Sequence, residues 1–150
     1  MKTLLLFLLF ALCNSIAHSQ WIYRTVDNGL DEPYPIAYTE LADGARLKLE
    51  NVNGKIVFYI QADCICDKET TVDMALLINS EYTRYSFTGR TSKDRTCVFF
   101  TWDLENSIAD DDFQVCSDLK VRINDETCGE QTYNFNMMGS ALALQYMRTH

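Results

Sequence analysis

The sequence predicts a small all-β protein, an antiparallel β-sandwich stabilised by disulfides, and three observations lead there. Apolar residues recur at every second position in several separate stretches, which is the period of a half-buried strand. Polar, turn-forming residues such as Asn53-Gly54 divide these stretches. No stretch holds a 3.6-residue apolar period long enough for a dominant helix. The same alternation also fits a lipocalin-like β-barrel, which is the alternative architecture.

The chain opens with Lys2, an unbroken apolar run from Leu4 to Leu12, and small residues at Ala17 and Ser19, the pattern of a secretory signal peptide. Cleavage after Ala17 or after Ser19 fits, and the second is preferred, giving a signal of residues 1 to 19 and one domain over 20 to 150. The apolar run is far shorter than the roughly 20 residues that cross a bilayer, and no later stretch is longer, so a secreted, extracellular protein with no membrane insertion is expected.

Trp21 to Val26 starts a strand, and Asp27 to Pro35 reads as an irregular connection. Ala45, Leu47 and Leu49 face one way, with Arg46, Lys48 and Glu50 opposite, and the return strand Lys55 to Gln61 groups Ile56, Phe58 and Ile60. Val72, Met74, Leu76 and Ile78 share a face of the next strand, with helix as the other option. The stretch from Tyr82 to Trp102 is the densest in bulky residues. Tyr82, Tyr85, Phe87, Val98, Phe99, Phe100 and Trp102 are expected to form two buried strands, joined by a loop from Gly89 to Arg95. An acidic loop from Glu105 to Asp112 leads into Phe113-Gln114-Val115. Leu119, Val121 and Ile123 alternate, Thr132 to Met138 forms a late strand, and Ala141 to Met147 fits strand or helix.

Composition narrows the function. With 13 Lys and Arg against 21 Asp and Glu, the formal charge of −8 repels phosphate backbones, so nucleic acid is not an expected partner. The only histidines, His18 and His150, lie in the signal region and at the last position. Histidine-dependent hydrolysis and ordinary zinc sites need an imidazole held firmly in the fold, so no catalytic, cofactor-binding or metal-ligating residue is assigned and an enzyme is not expected. Cys64-Ile65-Cys66 lacks the spacing of a zinc or redox pair. Asp103, Glu105, Asp110, Asp111 and Asp112 lack the order of a calcium loop and read as a solvated segment. Cys64, Cys66, Cys97, Cys116 and Cys128 are disulfide candidates, most simply two bridges and one surplus thiol, which is either buried or the means to a disulfide-linked dimer. No Asn-x-Ser/Thr acceptor for N-glycosylation occurs.

Leu47-Lys48-Leu49-Glu50-Asn51, the turn at Asn53-Gly54, the strand running into Cys64, Tyr82 through Phe87, Cys97-Val98-Phe99-Phe100-Thr101-Trp102, Phe113-Gln114-Val115 and the later Cys128 resemble the plant self-incompatibility proteins, the S-protein homologues. That resemblance covers roughly residues 45 to 135. It implies a secreted β-sandwich without enzymatic activity and with no cofactor, acting as an extracellular protein ligand for a cell-surface protein receptor. Binding would then lie in loops between strands, with Arg90, Lys93 and Arg95 on one and Glu105, Asp110, Asp111 and Asp112 on the other. The alternative function is a lipocalin-like carrier of a small hydrophobic ligand.

Overall fold

The computed structural model describes residues 21–27, 29, 32–52, 54–65, 67–100 and 108–150. The expected signal segment, Cys66, Trp102 and Glu105 lie outside them. Among the described residues there are nine strands: β1 (Ile22–Val26), β2 (Tyr34–Glu40), β3 (Arg46–Val52), β4 (Lys55–Gln61), β5 (Glu69–Ile78), β6 (Glu81–Thr91), β7 (Cys97–Phe100), β8 (Asp118–Asp125) and β9 (Gly129–Asn136). Two helices among the described residues join them, α1 (Ile108–Val115) and α2 (Ser140–Thr149).

All nine strands form one antiparallel sheet in the order β1-β2-β3-β4-β7-β6-β5-β8-β9. The chain leaves β4, makes the β5–β6 hairpin, and returns with β7 between β4 and β6. The expected antiparallel all-β class holds, with every described strand in one continuous open sheet. Closure into a lipocalin-like barrel does not: β1 and β9 are the two edges of an open sheet. Phe113 of α1 and Ala143, Leu144 and Met147 of α2, all with no exposure, join one core with Leu47, Phe58, Val72, Leu119 and Phe135 of the sheet.

Alternation sets which face is buried. Leu47 pairs with Ile60 and Leu49 with Phe58 across β3 and β4, and all four are fully buried. Met74 lies opposite Val121, and Leu76 opposite Leu119, which in turn faces Phe135 of β9. Gly54, at φ 81°, supplies the positive dihedral that the β3–β4 turn demands.

The aromatic stretch departs from expectation. Tyr82 is 43% exposed and Phe99 36%, while Tyr85 and Phe87 are only partly buried against the core; Val98 alone is fully enclosed among the side chains described there. Strand parity is the reason. Tyr82 falls on the same face of β6 as Arg84, Ser86, Thr88 and Arg90, and Phe99 lies opposite Tyr59 and Arg90 on that outer face. The interior rings come instead from Phe58, Phe113 and Phe135.

Gly89 belongs to β6 rather than to the expected loop, since the strand runs on to Thr91. A Cβ on Gly89 would stand 2.4 Å from Val98 Cγ1 and 3.0 Å from Val72 Cγ2, so the missing side chain is what lets these two valines meet over β6. Gly89→Ala should therefore destabilise by about 1–3 kcal/mol through overpacking, despite the usual gain of replacing glycine in a strand. Urea denaturation would measure this, and an unchanged or higher midpoint would mean that Val98 can turn aside.

Three other segments differ from the sequence reading. The β2 strand begins at Tyr34, with Pro35 paired in register to Thr25 near the end of β1, where an irregular connection was expected. Phe113-Gln114-Val115, a strand motif in the resemblance, is helical. Phe113 and Cys116 at i, i+3 turn inward while Asp111 and Val115 face solvent. The segment Ala141 to Met147, open between strand and helix, is helix α2, with Ala143, Leu144 and Met147 on the buried face. Ser140 Oγ donates to the Phe113 carbonyl at 2.8 Å, and Asn51 Nδ2 to that of Met147 at 2.9 Å, fixing α2 to α1 and to β3.

Candidate functional site

The turn between β6 and β7, residues 92–96, is organised by one hydroxyl. Ser92 Oγ accepts hydrogen bonds from the backbone N–H groups of Thr96 (3.2 Å) and Cys97 (3.0 Å) and donates to Asp94 Oδ1 (2.5 Å). Serine and aspartate two residues apart are the side chains that stabilise tight turns in this way. The Arg95 N–H donates to the Ser92 carbonyl at 3.0 Å, and Arg95 itself takes the left-handed conformation at φ 60°. Hydrogen bonds from Ser92 and Thr96 hold the Asp94 carboxyl below the usual range, so it stays ionised as part of the turn. Lys93 and Arg95 are thus displayed from a braced turn, both exposed.

A second segment lies against this turn. The Thr91 N–H donates to the Lys68 carbonyl at 3.0 Å, which ties the end of β6 to the β4–β5 connection. Between them runs an open groove of about 730 Å³ lined by Lys68, Arg90, Lys93 and Arg95, with Asp67 and Glu69 as its acids. None of the four cations is in an ion pair among the described residues; the two pairs there are Arg46–Glu40 and Arg122–Glu130. Asp67 is engaged elsewhere, accepting from the Glu126 N–H (2.5 Å) and from Thr127 Oγ1 (3.1 Å).

Those bonds belong to a clamp at the groove's foot. Asp125, 3% exposed, accepts from the N–H groups of Asp67 (3.0 Å), Thr127 (2.9 Å) and Cys128 (2.7 Å). The two aspartates each hold the other's turn. The Cys64–Cys128 disulfide joins the same two segments, and Gln131 Nε2 donates to the Cys64 carbonyl at 2.7 Å. The clamp thus fixes the foot of the groove before any ligand is present.

The structure brings together Arg90, Lys93 and Arg95, as the sequence suggests, and adds Lys68, which nothing in the sequence marks. The described members of the acidic set do not form a matching loop. Asp110, Asp111 and Asp112 lie in α1, where Asp111 is exposed and Asp112 accepts a hydrogen bond from the Tyr85 hydroxyl. Burial, and then this bond, push Tyr85 up to about 12, so it remains a donor at neutral pH.

Of the disulfide candidates, Cys64 and Cys128 pair, and Cys97 and Cys116 are free thiols, so the described residues hold one bridge instead of two. Burial raises both free thiols, Cys116 to about 12, which keeps them protonated and weakly nucleophilic. Cys116 is enclosed and its Sγ donates to the Phe113 carbonyl, whereas Cys97 is partly exposed. No group of three or more His, Cys, Asp or Glu among the described residues converges as metal ligands would, and no helix there is long and apolar enough to cross a membrane. No protein-family model matches this chain, and neither do any curated protein or solved structure.

Proposed function

We propose that this chain is a secreted, non-enzymatic recognition protein, an extracellular ligand that engages a protein on a cell surface. The observation that carries the reading is the groove in which Lys68, Arg90, Lys93 and Arg95 converge without ion-pair partners among the described residues, on a chain whose net charge is −8. With four cations outside any ion pair among the described residues against the two acids Asp67 and Glu69, the groove is net positive on an acidic protein, which suits an acidic group on a partner, with guanidinium forks matched to carboxylates. The signal-like N-terminus and the Cys64–Cys128 bridge support an oxidising, extracellular setting. The role is the one that the resemblance to S-protein homologues implies.

The test has two parts. The tagged full chain, expressed in its own cells, should appear in the medium beginning at Gln20. The purified protein should then bind intact cells saturably, less so as salt rises, and not after protease treatment of the cells. Lys93→Glu with Arg95→Glu should weaken that binding by about tenfold or more. Retention inside the cell, or a doubly reversed variant that binds as well as the parent, would refute the proposal.

A further inference from the structure

We infer that the outer face of β5, β6 and β8 carries a second binding site, separate from the turn groove, for an acidic oligosaccharide held by Tyr82, Arg84, Lys120 and Arg122 around Ala75. Ala75 lies directly between Arg84 of β6 and Lys120 of β8 in the ladder, and Asp73 lies between Ser86 and Arg122 one step along. A methyl group flanked by two long cationic side chains leaves a hollow, and a groove of about 500 Å³ is found there, with Tyr82 and Thr132 also on its walls.

The charges in this groove are available. Arg84 and Lys120 have no ion pair among the described residues, and Arg122 has only a loose one with Glu130 at 3.8 Å, both side chains being more than half exposed. Such an exposed pair contributes little and exchanges readily. The single acid on the floor, Asp73, is satisfied by neutral donors, Ser86 Oγ at 2.7 Å and Asn124 Nδ2 at 3.3 Å. The cations are thus left to an outside anion.

Two features select a sugar over a peptide. The floor of the groove is β5 and β8, each paired on both sides, so a ligand lying over Ala75 meets side chains and not an open strand edge; β6 pairs along its length with β5 and, among the described residues, with β7 only at Arg90 and Thr91. The aromatic at the end of the groove, Tyr82, is 43% exposed, with the Lys120 ammonium 4.8 Å from its ring centre. An aromatic ring beside a cation offers an apolar surface to a sugar's C–H face and a charge to its carboxylate or sulfate. Arg84 and Arg90 share one face of β6 but lie six residues apart, roughly 20 Å along the strand, so the two grooves are distinct sites.

Calorimetric titration of the full-length secreted protein with a galacturonate hexamer, a heparin hexasaccharide, a neutral glucan hexamer and a hexaglutamate peptide tests this. At least one acidic sugar should bind in a salt-sensitive way, the neutral glucan and the peptide should not, and Arg84→Ala with Lys120→Ala should weaken binding by about tenfold or more. Tyr82→Ala should weaken it several-fold, while the Lys93→Glu, Arg95→Glu variant should bind the sugar like the parent. No binding of either acidic sugar, equal binding of hexaglutamate, or loss confined to the Lys93 and Arg95 variant would overturn the inference. The last of these outcomes would leave the turn groove intact as a site, and failure of cell binding alone would leave the sugar site standing.

Discussion

Phe113→Ala is expected to destabilise the protein by about 3–5 kcal/mol, a large share of the 5–15 kcal/mol typical of a domain. The ring is fully buried, 4.7 Å from Phe58 at 69° and 6.3 Å from Trp21 at 70°, both edge-on. Edge-to-face pairs add to simple area burial, so the truncation removes two aromatic contacts along with the transfer energy of the ring. The backbone carbonyl of the same residue receives Ser140 Oγ, through which α1 also fixes the start of α2. Val115→Ala, two residues along the same helix but 64% exposed, is the control and should shift stability by less than about 0.5 kcal/mol. Thermal denaturation should separate the two variants by on the order of 15 °C. Near-equal midpoints would mean that α1 does not pack as described.

What could be read from the sequence follows from what period and parity can carry. Leu47, Leu49, Ile56, Phe58 and Ile60, with Asn53-Gly54 between them, specify a hairpin because the apolar period and the turn agree. The Leu119, Val121, Ile123 strand was legible for the same reason. Tyr82 and Phe99 were misread because bulk alone does not say which face of a strand a residue occupies. The neighbours of Tyr82 at every second position, Arg84, Ser86, Thr88 and Arg90, hold that information. Phe113 was misread for a different reason: eight residues are too few to establish a helical period, and docking against Phe58 and Trp21 outweighs the local preference. That Arg90, Lys93 and Arg95 lie close together was legible because they share one short segment. Lys68 was not, since it reaches the groove through the Thr91–Lys68 backbone bond, a contact between segments distant in sequence. The Arg84, Lys120 and Arg122 groove was hidden likewise, because strand order alone brings β6 and β8 to either side of β5.

Replacing Cys64 and Cys128 by alanine is expected to cost about 4 kcal/mol, because the bridge spans 64 residues and closure of a loop that long removes considerable freedom from the unfolded chain. Asp125→Ala should cost about 2–4 kcal/mol, since it strands the N–H groups of Asp67, Thr127 and Cys128 near a site that is 3% exposed. The two losses should not add. Both features hold the β4–β5 connection to the β8–β9 turn, so once the bridge is gone the turns can part and the freed N–H groups can reach water. The triple variant is therefore expected to lose at least about 1 kcal/mol less than the sum, which urea denaturation of the parent, the two partial variants and the triple variant would reveal. Additivity within about 0.5 kcal/mol would show instead that carboxylate and disulfide act independently. The same series tests the base of the cationic groove. Lys68 sits next to Asp67, one half of the clamp, so loosening the clamp should weaken anion binding at the groove even where the protein remains folded.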